Sequence, residues 1–350
     1  MGLGKLALIA VAVALSGCNS PAEVAFAYSS DAPSRTGLLP LKDGVVLGNE
    51  AGALIRLNQD GRERWRVELV RELVARPARV GNTVVAVTSA GEWIGVDVDT
   101  GQEHWRLGGK PVVHLPLASD DQRVFAVADD GSVEAISGGS GGTAWTRLPP
   151  KGLKKNPTLT APPVWLGWRL FVGLGPAGMF AIDPLEGGTL WHRPLGDVLG
   201  FLAEGERVYA LTREGELFAL RASDGQTEWS RPLGVKPQSG PWLARGLLWI
   251  GLQDQDVLMA VDPQNGAEVW RVNLPAPVRG GVGEFRELVL VPTNGREGHL
   301  LGFRPGQARP ILDLRADSAL RTPPVVLDDR ALVLATDGRV LAWDILRTSR

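Results

Sequence analysis

Four histidines, two short acidic runs and a single cysteine are the side chains from which metal or nucleophilic chemistry could be assembled in this chain. His104, His114, His192 and His299 are scattered with no metal-ligand spacing, so each is expected as a surface or inner-strand residue. Asp97-Val98-Asp99-Thr100-Gly101 and Asp254-Gln255-Asp256 have too few alternating acids, and no distal glutamate, for a calcium loop; they read as turns. No glycine-rich phosphate loop occurs, and no Ser/His/Asp set can be argued from spacing. Because Cys18 is the only cysteine, the chain can form no internal disulfide. The expectation is a protein without catalytic, metal-binding or cofactor-binding residues and without enzymatic activity.

Cys18 has a different chemistry available. Lys5 supplies a positive start, Leu6 to Leu15 an apolar core of ten residues, and Leu15-Ser16-Gly17-Cys18 resembles a lipobox. That core is too short to cross a bilayer as a helix, so export and cleavage is the reading. Residues 1–17 are then a lipoprotein signal peptide, Cys18 the lipid attachment site and residues 18–22 a lipidated tether. A thioether-linked diacylglycerol plus an amide-linked chain such as palmitate gives stable anchoring, which needs two or more chains. An ordinary signal peptide with an incidental cysteine is the alternative. Asn19 and Ser20 stand where an aspartate retains many lipoproteins at the inner membrane, which points to the outer membrane and a periplasm-facing protein. A net charge of −2 provides no field for nucleic acid.

The elements behind these residues come from a repeat. Gly61/Trp65, Gly101/Trp105, Gly141/Trp145, Gly187/Trp191, Gly225/Trp229 and Gly266/Trp270 share a Gly-x-x-x-Trp spacing, and successive tryptophans lie 40, 40, 46, 38 and 41 residues apart. A fixed period in this range means a solenoid or a propeller. Runs such as Arg207 to Leu211 and Leu217 to Leu220, parted by turn residues, are of strand length, so about 41 residues hold the four strands of one propeller blade. Inner turns at Gly52, Gly91, Gly131, Gly178, Gly215, Asp254 to Asp256, Gly298 and Gly338 imply eight blades in a domain spanning residues 23–347. The seventh departs from the repeat, because Gly306 is followed by Pro310 where tryptophan belongs, and the eighth stops one strand short at Ile345. An open edge there would expose unpaired backbone, so Val24 to Tyr28 is expected to complete the blade, with Phe26 or Tyr28 in the tryptophan's place. Trp65, Trp105, Trp145, Trp191, Trp229 and Trp270 are expected to dock each blade on its neighbour. Burying ~200 Å² at roughly 25 cal/mol/Å² contributes at most about 5 kcal/mol apiece.

The Ala-x-Asp, turn, Gly-x-x-x-Trp pattern, as in Ala181-Ile182-Asp183…Gly187…Trp191 and Ala260-Val261-Asp262…Gly266…Trp270, resembles the repeat named after pyrroloquinoline quinone (PQQ) enzymes. A lipobox followed by eight such blades is similar to the BamB-type lipoproteins of outer-membrane protein assembly. That resemblance implies a non-catalytic scaffold, one copy within a larger complex, whose partners are envelope proteins of the β-barrel assembly machinery. A ligand-sensing or cell-surface binding propeller is the alternative, ahead of a PQQ-dependent dehydrogenase, whose adjacent cysteine pair has no counterpart here.

Two surface features stand outside the repeat. The step of 46 residues carries its surplus in Leu148 to Pro163, where Lys151, Lys154 and Lys155 are three of the seven lysines; this makes the stretch a candidate partner face, against a solvated insertion with no partner. Trp165, Trp168, Trp242 and Trp249 are expected on or near inner strands and packed in the core, an exposed rim aromatic being the other reading.

Overall fold

The computed structural model describes residues 22–153, 157–253 and 256–346. The lipobox with Cys18, the lysines Lys154 and Lys155, and Asp254 with Gln255 lie outside these residues.

The described residues form eight four-stranded antiparallel sheets. Blade 1 is β2 (Leu39–Leu41), β3 (Gly44–Gly48), β4 (Ala53–Asn58) and β5 (Glu63–Glu68); blade 2 is β6 (Ala78–Val80), β7 (Thr83–Val87), β8 (Trp93–Asp97) and β9 (Glu103–Leu107). Blade 3 comprises β10 (Ala118–Ser119), β11 (Arg123–Val127), β12 (Val133–Ser137) and β13 (Thr143–Arg147), and blade 4 β14 (Val164–Leu166), β15 (Arg169–Gly173), β16 (Met179–Ile182) and β17 (Thr189–Arg193). Blade 5 follows as β18 (Val198–Glu204) through β21 (Thr227–Pro232), blade 6 as β22 (Pro237–Ala244) through β25 (Glu268–Asn273), and blade 7 as β26 (Gly283–Phe285) through β29 (Leu312–Arg315). Blade 8 is β30 (Val325–Leu327), β31 (Arg330–Leu334) and β32 (Arg339–Ile345), and its fourth strand is β1 (Ala22–Ser29). The chain is thus an all-β, eight-bladed propeller. The first and last strands close it, with pairs from Ala22↔Ile345 to Ser29↔Arg339.

Why the middle strands read as unbroken apolar runs is clear from where the core lies. The buried apolar residues form eight clusters, and each is drawn from two adjacent blades. Strands such as β3, β7 and β11 therefore have a neighbour on both faces and alternate little, as in other doubly covered sheets. The fourth strands face solvent on one side and carry charge there, as in Glu103–Leu107.

Antiparallel order divides the turns between two faces. First-to-second and third-to-fourth strand turns emerge on one, here the lower face; second-to-third turns and the connections between blades emerge on the other, the upper face. Since β32 starts at the Gly338 turn on the upper face and ends at Ile345, β1 begins on the lower face, where Ala22 meets Ile345.

Candidate functional site

The repeat residues meet at the seams between blades. Trp65 Nε1 donates to the Val98 carbonyl of the next blade at 2.9 Å, Trp105 to Gly138 at 2.8 Å, Trp145 to Pro184 at 2.9 Å and Trp191 to Ala222 at 3.0 Å. In each case the acceptor lies three residues before the next repeat glycine. That glycine rests on the same indole. A Cβ on Gly101 would stand 2.8 Å from the Trp65 ring, one on Gly141 2.5 Å from Trp105, one on Gly187 2.8 Å from Trp145 and one on Gly225 2.8 Å from Trp191. These glycines also have φ between +71° and +73°, so close approach and a left-handed backbone both call for a residue without Cβ. Opposite the indole, the paired third-strand residue is small, as in Gly95↔Trp105, Ala135↔Trp145 and Ala181↔Trp191.

At the closing seam Phe26 occupies the indole's place: it pairs with Ala342, and Gly61 lies over its ring. The Tyr28 hydroxyl donates to Glu63 at 2.5 Å and is met by Arg66 at 3.0 Å; burial and the Glu63 carboxylate push its pKa up. A third fastener joins blades 1 and 2. Arg56, 6% exposed, donates to Val98 O and Asp99 with Nη1 and to both oxygens of Asp43 with Nη2.

The pattern lapses around blade 7. Trp229 still lies under Gly266, but its Nε1 is buried without a partner, and Gly306 has nothing within 4 Å of its Cβ direction. Trp270 instead sits edge-on to Trp249 and Phe303, with ring centroids 5.6 and 5.9 Å apart. In blade 7 the indole position opposite Gly302 is held by Leu312, six residues past Gly306 instead of four. Next to it a cleft lined by Phe285, Arg304, Ile311, Leu312, Ile345 and Leu346 opens between blades 7 and 8.

On the upper face, the stretch after β13 folds back over the β11–β12 turn of its own blade. The Leu153 side chain caps Gly131, whose Cβ direction meets it at 2.4 Å, and Pro149 lies 3.5 Å away. Lys151 is exposed on this fold, and Leu148 beside it is 76% exposed. Lys110 and the buried Glu134 form an ion pair of 2.7 Å at the same end of blade 3, with the Thr146 hydroxyl donating to the same carboxylate at 3.0 Å.

The histidines are far apart and each has a neighbour on its own blade: His104 by Thr83 and Asp97, His114 on Asp129 at 2.6 Å, His192 stacked on Phe180, and His299 on Asp313 at 2.5 Å. Among the described residues no three His, Cys, Asp or Glu side chains converge where a metal ion could be held. Arg76, which precedes β6, makes no side-chain hydrogen bond or ion pair among the described residues, and burial lowers its pKa.

The four tryptophans singled out beyond the repeat motif, Trp165, Trp168, Trp242 and Trp249, divide. Trp249 is wholly buried, and Trp165 and Trp242 are partly so. Trp168 corrects the expectation of core packing: it is 81% exposed, at the tip of the β14–β15 hairpin on the lower face. The signal was its neighbour, since Gly167 and Trp168 have φ of +54° and +66° and form the tight turn itself. Arg56, which sequence reasoning passed over, had only its place in an otherwise apolar strand to mark it.

Comparison with known proteins fits this geometry. A BamB relative from Yersinia pestis is 24% identical over 317 residues, covering 85% of this chain and 68% of the relative. The crystal structure of BamB from Moraxella catarrhalis superposes with a TM-score of 0.78 at 18% identity, covering 92% of this chain and 99% of that one. A quinohemoprotein alcohol dehydrogenase from Pseudomonas putida HK5 superposes with a TM-score of 0.77 at 12% identity, over 94% of this chain and 77% of its own, a likeness of fold alone. The profile of the outer membrane protein assembly factor BamB matches residues 28–119, 50–267 and 253–349, which together run along nearly the whole ring, and the chain belongs to that family.

Proposed function

We propose that this protein is a lipid-anchored, non-catalytic scaffold of the cell envelope that assists assembly of outer-membrane β-barrel proteins by binding the machinery that inserts them. The observation that carries this reading is the family match along the ring. What the ring does with its repeated residues supports it, because the repeat's indoles, glycines and carbonyls are spent on one another at the seams. Residues 1–17 are the signal peptide, Cys18 carries the lipid, residues 18–22 are the tether and residues 23–347 the propeller. The partner face in this reading is the upper one, at the fold that bears Lys151 with Lys154 and Lys155 beyond it in sequence.

Deleting the gene tests the role: outer-membrane barrel proteins should fall in abundance and sensitivity to detergent rise, and normal barrel levels would refute it. Reversing Lys151, Lys154 and Lys155 to glutamate tests the face. Exposed ion pairs contribute about 0–1 kcal/mol each, so three reversals should weaken a complex roughly tenfold or more while the propeller stays folded. Undiminished co-purification would move the partner elsewhere on the ring.

A further inference from the structure

From the position of the first strand and one exposed indole, we infer that the lower face of the propeller lies on the lipid bilayer, with Trp168 seated in its interface. The inference rests on the lipid anchor proposed at Cys18. Only three residues lie between Cys18 and Ala22, so those four steps of chain reach at most about 14 Å. Ala22 is 6% exposed and held at the lower end of blade 8 by its pairing with Ile345, so the anchor leaves from the lower face. A rigid ring on so short a leash keeps that face near the membrane.

Blade 4 stands opposite blade 8 in the ring, and its lower end bears Trp168. A bulky side chain at φ +66° costs about 1–2 kcal/mol of backbone energy against glycine, and this one gains little burial in return. Leu185, 62% exposed in the third-to-fourth strand turn of the same blade, adds a second apolar side chain to that end. An indole has an apolar body and one N–H donor, the combination that settles at the level of lipid headgroups. Charge at that end is mixed, with Glu186 exposed beside Leu185 and the Arg169 guanidinium turned back onto the Gly167 carbonyl, so the contact is that of the indole with a neutral interface such as phosphatidylethanolamine. Lipid at blade 8 and indole at blade 4 fix the ring at two opposite points, and the upper face is turned to the periplasm.

The test uses the lipidated full-length protein in phosphatidylethanolamine vesicles whose acyl chains are brominated near the headgroup. One exposed indole among 12 tryptophans should supply the quenchable part of the emission, unchanged by 0.5 M salt. In Trp168→Asn, whose side chain tolerates the turn, that component should vanish while melting temperature and vesicle binding stay as in the wild type; Leu185→Asp should reduce it. Mass spectrometry separates the two ways of failing. Absence of acyl chains on Cys18 overturns both the anchor and the orientation. Acyl chains present, with quenching absent or equal in wild type and Trp168→Asn, overturns the orientation alone. Protection of Trp168 by a co-purified envelope protein in detergent, with no quenching in vesicles, overturns it in favour of a protein contact.

Discussion

Replacing Gly101 by alanine tests the seam between blades 1 and 2 at its point of closest approach. Two effects add there. The backbone φ of +73° puts an L-residue in the left-handed region, at about 1–2 kcal/mol. The new Cβ would also stand 2.8 Å from two atoms of the Trp65 ring, which is fixed by its hydrogen bond to Val98 and cannot swing away without breaking it. Overpacking of that kind costs a further ~1–3 kcal/mol, so Gly101→Ala should destabilise by about 2–5 kcal/mol in all. Gly306→Ala is the internal control: its φ of +88° imposes the backbone cost, but nothing lies within 4 Å of its Cβ direction. It should lose only about 1–2 kcal/mol. At roughly 2 °C per kcal/mol for a domain of this size, thermal unfolding followed by circular dichroism should show falls of about 4–10 °C and 2–4 °C respectively. Equal falls in the two variants would refute the argument, because the indole would then not be bearing on the glycine.

Closure should be sensitive at Phe26: Phe26→Ala is expected to cost less than the about 3–5 kcal/mol of a fully buried phenylalanine, since the ring is only part-buried, and deleting residues 22–29 should unfold the ring or leave it insoluble, as read by solubility and melting. Cys18→Ser should give a protein found in the soluble periplasmic fraction or as uncleaved precursor, checked by fractionation and intact mass. Purified protein should neither bind PQQ in the presence of calcium nor oxidise alcohols with an artificial acceptor; saturable binding at micromolar concentration by fluorescence titration would bring the enzyme reading forward.

Much of the ring is legible in the sequence because its seams reuse one contact. A glycine that must lie on an indole and an indole that must reach the next turn leave the same spacing six times, and an eighth blade one strand short leaves an edge that something must cover. Other parts are not legible for equally physical reasons. Leu312 takes the indole's place in blade 7 after a turn two residues longer, so a search at fixed spacing lands on Pro310. Trp168 reads as a core residue by type, and only the handedness of its turn turns it outward. Arg56 looks misplaced in its strand, since both carboxylates that neutralise it come from turns, one of them 43 residues away.

Eight cores shared pairwise leave no blade with an interior of its own, so a single excised blade has nothing to fold around. Breathing should therefore begin where the fastening is thinnest. That is the arc from blade 5 through blade 8, where Trp229 is without an acceptor, Gly306 covers nothing and Leu312 replaces an indole. Amide protons of β26 to β29 should exchange with solvent sooner than those of blades 2 to 4, and a protease that nicks the native ring should find its first cut on that arc.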